Sequence, residues 1–173
     1  MNRKRVLWLL RHAKSDWDVG ALNDFDRPLN HRGKRDARRI GCYMAAQGWF
    51  PEAVIASPAK RVRQTIKRVC RELNFDFPRV EWDQRIYEAE VPDLLAVLRD
   101  CTGNCDKVLL VGHNPGLEAL LLTLCGPVPE PGDKLLPTAA LAYLEVRTPW
   151  KDLGPGMARL VRLIRPRDLP EQG

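Results

Sequence analysis

Short, dense apolar runs alternate with segments of helical periodicity along this chain, and that alternation leaves few folds open. VLWLL at 6–10, AVIAS at 53–57 and KVLLVG at 107–112 are nearly continuous apolar stretches. Runs so short and dense suit strands covered on both faces. Between the first two, Ala37, Ile40, Met44 and Ala45 keep helical spacing in a segment from about Asn30 to Gly48, where the glycine suits a C-cap. Between the next two, Val62, Ile66, Val69 and Leu73 mark one face of a helix over about 59–73, with Pro58 in its first turn. A loosely alternating run, Val80 to Ile86, reads as a further strand, and Pro92 opens a short helix through Asp100. Asn114 and Pro115 read as N-cap and first residue of a helix that runs through Leu124 and closes at Gly126. The loop at 126–133 is irregular, and Ala139–Val146 and Met157–Ile164 read as two more strands. The pattern predicts an α/β protein, a single three-layer α/β/α domain around a central, mostly parallel sheet. Its 173 residues suffice for one such domain. The domain is placed at 1–165, with 166–173 as a flexible tail.

Charge and cysteine content narrow the function classes. The net charge is +6, from 28 basic and 22 acidic residues, which favours anionic partners. The charges are interspersed, as in RGKRDARR at 32–39 and KRVRQTIKRVCRE at 60–72, and no nucleic-acid motif accompanies them. These stretches read as solvated faces, and no nucleic-acid partner is expected. No run reaches the ~18 consecutive apolar residues of a membrane span. The apolar run after the basic start is also shorter than a signal peptide requires. The expectation is a cytoplasmic protein, away from membranes and monomeric. Five cysteines, an odd number, argue against a disulfide framework. Cys101 and Cys105 lack a second close pair, so no metal site and no cofactor is expected. Cys70 and Cys125 read as core thiols.

Three strand ends carry polar chemistry. The first strand stops on Arg11-His12, the second on SPAKRVRQT, which puts Arg61 in the first turn of a helix, and the run at 107–112 on His113-Asn114. In α/β sheets ligands bind outside the carboxyl ends of strands. Arg11, His12, Arg61 and His113 could therefore converge at one sheet edge, two guanidiniums offering forks that fit phosphate oxygens. Taken singly, each has a structural reading: an end-of-strand histidine, an arginine paired to an acid, a surface arginine.

RHA at 11–13, SPAKRVRQT at 57–65 and VGHNPG at 111–116 together resemble the histidine phosphatase superfamily. DRPLNHRG at 26–33 and LPTAALAYLEV at 136–146 resemble its SixA-like phosphohistidine phosphatase branch. The likeness runs from about residue 5 to 164. It implies a phosphoglycerate-mutase-like fold and a metal-independent phosphatase working through a phosphohistidine intermediate. His12 would be the nucleophile, and Arg11, Arg61 and His113 would hold the phosphoryl oxygens, His113 best when protonated. The substrate would be a phosphorylated protein carrying phosphohistidine. A small phosphate-bearing metabolite is the alternative, and a non-catalytic phosphate or nucleic-acid binder a more distant one. Two departures stand out. Ala13 replaces the family's usual glycine, and the general acid is open. Glu88 is the candidate, with Glu90 or a structural role as the alternative. Arg27 either reaches the pocket or pairs with Asp24 or Asp26. Ser15 is placed at the pocket mouth, and Trp17 reads as a packed loop anchor.

Overall fold

The structure is a computed structural model and describes residues 3–20, 23–100, 104–128 and 134–171. Cys101 and residues 129–133 of the 126–133 loop lie outside the described residues.

Six strands form one sheet in the order β3-β2-β4-β1-β5-β6. They are β1 (Arg5–Arg11), β2 (Ala53–Ala56), β3 (Glu81–Trp82), β4 (Lys107–Gly112), β5 (Leu141–Val146) and β6 (Ala158–Ile164). β3, β2, β4 and β1 run parallel, while β5 is antiparallel to both β1 and β6. Period-two alternation divides each central strand between two cores. Leu7, Leu9, Val108 and Leu110 face one way, toward α3 (Val91–Arg99) and α4 (Gly116–Cys125). Trp8, Leu10, Leu109 and Val111 face the other, toward α1 (His31–Ala46) and α2 (Lys60–Leu73). The expected three-layer architecture is therefore present, and Val62, Ile66, Val69 and Leu73 of α2 are all buried. α1 starts where expected, with Asn30 as its N-cap, the side chain accepting from the Gly33 N–H, and Gly48 follows the helix at φ +71°. Among the described residues no helix is long and apolar enough to cross a membrane.

Two local expectations need correction. Val80–Ile86 is not one strand. Only Glu81 and Trp82 pair, with Ile55 and Ala56 of the short β2, and Asp83 then accepts from the Arg85 N–H to start a 3₁₀ turn. Asn114 does not cap α4. Its side-chain amide donates to Leu136 O (2.8 Å) and to Glu118 (3.0 Å), and Pro115 takes the cap position. That swap ties the 134–140 segment to the end of β4, because Glu118 also accepts from the Leu136 N–H (2.9 Å).

Candidate active site

β1 and β4 are neighbours in register, Arg11 opposite Gly112, so the residues that follow each strand emerge side by side. Those residues are His12 and His113, whose rings lie 5.3 Å apart, tilted by 55°. The backbone of His12 is held on both edges: its N–H donates to Gly112 O (3.0 Å), and its carbonyl accepts from Ala139 (3.1 Å). The residue is only 7% exposed. Its Nδ1 lies 2.8 Å from Ala13 O, and a carbonyl can only accept, so Nδ1 carries the hydrogen and Nε2 keeps its lone pair. Burial, chiefly, brings the ring's pKa down to about 3. The Ala13 contact raises it, and His113, Arg61 and Arg11 lower it further. A neutral imidazole with Nε2 unprotonated is what nucleophilic attack requires.

His113 is fixed with the opposite tautomer. Arg61 Nη2 donates to its Nδ1 (3.3 Å), so Nε2 carries the hydrogen and donates to Ser57 Oγ (2.8 Å). Burial first, then Arg61, take it down to about 4, while Asp24 pulls upward. Among the protein's own groups His113 is thus neutral at pH 7, and only an added dianion beside it would favour the protonated form. Ser57 is fully buried one residue beyond β2, held by its N–H to Val111 O (3.1 Å). Its place at the head of SPAKRVRQT marks it in the sequence, but only the contact with His113 gives it a part.

Arg61 is buried in the first turn of α2. Its Nη1 donates to Asp24 O (2.7 Å) and its Nη2 to the Asp24 carboxylate (2.9 Å). Arg27 donates to the same carboxylate (2.7 Å) and to Ser15. Of the two alternatives for Arg27, the Asp24 pair is therefore present, and the pair links it to Arg61. Arg11 is partly buried, with Nη1 on Leu136 O (3.0 Å). Arg11, Arg27 and Arg61 each keep a buried Nε–H without a partner among the described residues. Tyr87, which no sequence signal singles out, donates to Asp24 (2.8 Å) and stacks edge-on against His113 (5.5 Å). Trp17 is not a packed anchor: it is 70% exposed and covers the Arg27 guanidinium at 3.5 Å.

Two glycines permit this assembly. A Cβ at Gly33 would stand 2.0 Å from Lys14 O, so α1 can start against the loop after His12 only with glycine there. The loop at 13–16 then pairs with 28–30: Asp16 N–H to Pro28 O (2.8 Å) and Asn30 N–H to Lys14 O (3.0 Å). This pairing brings Arg27 to Ser15. A Cβ at Gly116 would stand 2.5 Å from Ala89 O, so the start of α4 lies directly against the 87–90 turn. That turn carries Glu88 at φ +55°. A cavity of about 380 Å³ follows, lined by Asp24, Arg61, Tyr87, Glu88, Glu90 and His113 among others. Glu88 and Glu90 both face it, although Glu90 also starts α3, its N–H accepted by Asp93 (2.9 Å). Ala13 causes no strain. Its methyl is buried in the core beside α1 and α2, it lies outside the left-handed region, and its N–H donates to Thr65 Oγ1 (3.0 Å). Among the described residues no group of three or more metal-ligating side chains occurs.

The model of the histidine phosphatase superfamily (branch 1) matches residues 7–96 of this chain. The chain belongs to the histidine phosphatase superfamily. An uncharacterized protein of Mycobacterium tuberculosis is 34% identical over 164 residues, covering 91% of this chain and 100% of its own length. The uncharacterized phosphatase PhoE of Bacillus subtilis is 26% identical, over 79% of this chain and 86% of its own. Among solved structures, a protein assigned as phosphohistidine phosphatase SixA from Agrobacterium tumefaciens superposes with a TM-score of 0.78 at 29% identity, over 93% of this chain and 97% of its own. The sheet and its flanking helices are thus the phosphoglycerate-mutase-like fold, and the chain is a phosphatase, a hydrolase of phosphate-bearing substrates.

Proposed function

We propose that this histidine phosphatase removes phosphate from phosphohistidine in a protein, without a metal, through a phosphorylated His12. The observation that carries the reading is the fixed tautomer of His12, whose Nε2 lone pair is left free next to His113, with Arg61 and Arg11 near enough for their charges to act on the ring. In the first step Nε2 attacks phosphorus in line. The new P–N bond forms as the substrate's P–N bond breaks, and that electron pair leaves with the substrate imidazole, whose other nitrogen already carries a proton taken from solvent, so it departs neutral. In the second step a water oxygen attacks phosphorus. The pair of the P–Nε2 bond returns to His12, a proton leaves the water, and orthophosphate departs. Arg11, Arg61 and His113 face the equatorial oxygens, where the charge of a loose transition state is spread. Arginine charge replaces the role a metal plays in other phosphoryl transfers.

A second reading, a phosphomonoesterase for a small metabolite, draws support from Glu88. A carboxyl group lining the same cavity as His113 is placed to protonate an alkoxide, which leaves poorly unaided. Phosphohistidine needs that help less.

The test is release of orthophosphate from a histidine-phosphorylated protein, with trapping of an acid-labile phosphoenzyme. Wild type is expected to release phosphate and to label on His12, with rates unchanged by EDTA. His12→Ala should do neither while remaining folded. Turnover by His12→Ala near the wild-type rate, or a loss in EDTA that a divalent cation restores, would overturn the reading.

A further inference from the structure

We infer that the Asp24 carboxylate is a built-in competitor for the phosphoryl site, holding the cations that the substrate's phosphoryl group must take over. The inference rests on reading this cavity as the phosphoryl site. Three donors converge on that one carboxylate: Arg27 Nη2 (2.7 Å), Arg61 Nη2 (2.9 Å) and Tyr87 Oη (2.8 Å). Two guanidiniums and a hydroxyl around an anion are what a phosphoryl group would ask for. The same Arg61 nitrogen that meets Asp24 also touches His113, so the carboxylate stands at the edge of the proposed catalytic pair. Asp24 also lines the cavity with Arg61 and His113.

The burial of the partners is lopsided. The side chains of Arg61 and Arg27 are 6% and 10% exposed, whereas that of Asp24 is 46% exposed. Buried cations are costly without a counter-charge, and Asp24 supplies it from the cavity mouth. Desolvation pushes the Asp24 carboxyl up. The hydrogen bonds from Arg27 and Tyr87 and the charge of Arg61 outweigh this and hold it well below the usual carboxylate range, so it stays an anion. A phosphoryl dianion brings twice the charge and three oxygens to the same donors.

The backbone makes the exchange easy. Arg61 Nη1 is held by the carbonyl of Asp24 and not by its side chain, Arg27 N–H donates to that carbonyl (3.2 Å), and Lys60 N–H donates to Phe25 O (2.9 Å). The loop therefore stays docked on α2 while the Asp24 side chain rotates away, and Arg61 keeps one anchor throughout. Asp24 is a competitor through its carboxylate and a positioning group only through its backbone.

The experiment compares orthophosphate binding by the full chain and by Asp24→Asn, using calorimetry at fixed pH and salt, with thermal unfolding measured alongside. The amide keeps the shape and removes the charge. Asp24→Asn is expected to bind orthophosphate at least about tenfold more tightly. Its Tm should fall in phosphate-free buffer and recover on adding phosphate by more than wild type gains. Should the variant fold poorly, Asp24→Ser decides: it also removes the charge, leaves the backbone contacts of residue 24 with Arg61 and Arg27 in place, and should likewise tighten orthophosphate binding. Equal or weaker binding, including no binding by either protein, overturns the inference, because a purely structural Asp24 would lose phosphate affinity together with stability. Hydrolysis is scored separately on wild type. A wild type that binds orthophosphate but leaves phosphohistidine intact would refute the proposed activity, while the Asp24→Asn comparison would still decide whether the carboxylate competes.

Discussion

His12 shows how little a residue's identity says without its surroundings. An isolated imidazole near pH 6.5 would be partly protonated in a neutral cell. Here burial and the neighbouring Arg61 and Arg11 charges keep it neutral, and the Ala13 carbonyl decides which nitrogen is free. The same burial predicts a pH dependence of stability. In the unfolded chain His12 and His113 take up protons as pH falls through about 6.5. In the folded chain they do so only near about 3 and about 4. Between those limits the unfolded state binds more protons, so stability is complete above pH 6.5 and is lost as pH falls toward 4. Each ring contributes a slope of up to about 1.4 kcal/mol per pH unit. Urea midpoints at pH 5, 6 and 7 should show it, and His12→Gln should remove about half. An unchanged slope in the variant would mean that the ring is not shielded as described. The Asp24 carboxyl shifts the same way, downward, so its contribution is also lost as pH falls, but only below the unfolded carboxylate range of about 4.

Elements meet at this site through small residues and single hydroxyls. Gly33→Ala drives a methyl group into Lys14 O, and Gly116→Ala drives one into Ala89 O. Each should cost about 1–3 kcal/mol, as overpacking does. Gly116→Ala should also disturb catalysis by moving the turn that carries Glu88. A wild-type Tm in either variant would contradict the close approach. Thr65 joins α2 to the loop after β1, its hydroxyl accepting from Ala13 N–H and donating to Arg61 O (2.7 Å). Thr65→Val leaves that amide buried and unpaired, a loss of about 1–3 kcal/mol that chemical denaturation can read. If Glu88 donates a proton to the leaving group, Glu88→Gln should slow alkyl phosphates and spare aryl phosphates. Equal effects on both would assign it a structural part. The β3 region shows why element boundaries are less legible than the elements themselves. Val80–Ile86 has the composition of a strand, yet β2 offers it only two partners, Ile55 and Ala56.

For the whole molecule, the decisive feature is a sheet in which β4 inserts between β2 and β1 and so brings three carboxyl ends to one edge. Trp17 is exposed over Arg27. The easy departure of imidazole is the reason to expect a protein-borne phosphohistidine as the preferred substrate. The expected kcat/KM on such a protein exceeds that on common sugar phosphates by at least about tenfold, or ~1.4 kcal/mol in the transition state. Side-by-side release assays decide it, and sugar phosphates winning would favour the metabolite reading. The sequence by itself determined the layered α/β class, the helices α1 and α2, and four residues at strand ends, because periodicity and strand termination are local properties. The motif likeness tied Arg11, His12, Arg61 and His113 to one chemistry. Only the tertiary structure decided that Ser57, Asp24 and Tyr87 share the site, that Trp17 is exposed, and that both histidines are neutral. Those facts depend on distances between segments far apart in the chain and on how much water each group keeps, and neither is written in a residue's near neighbours.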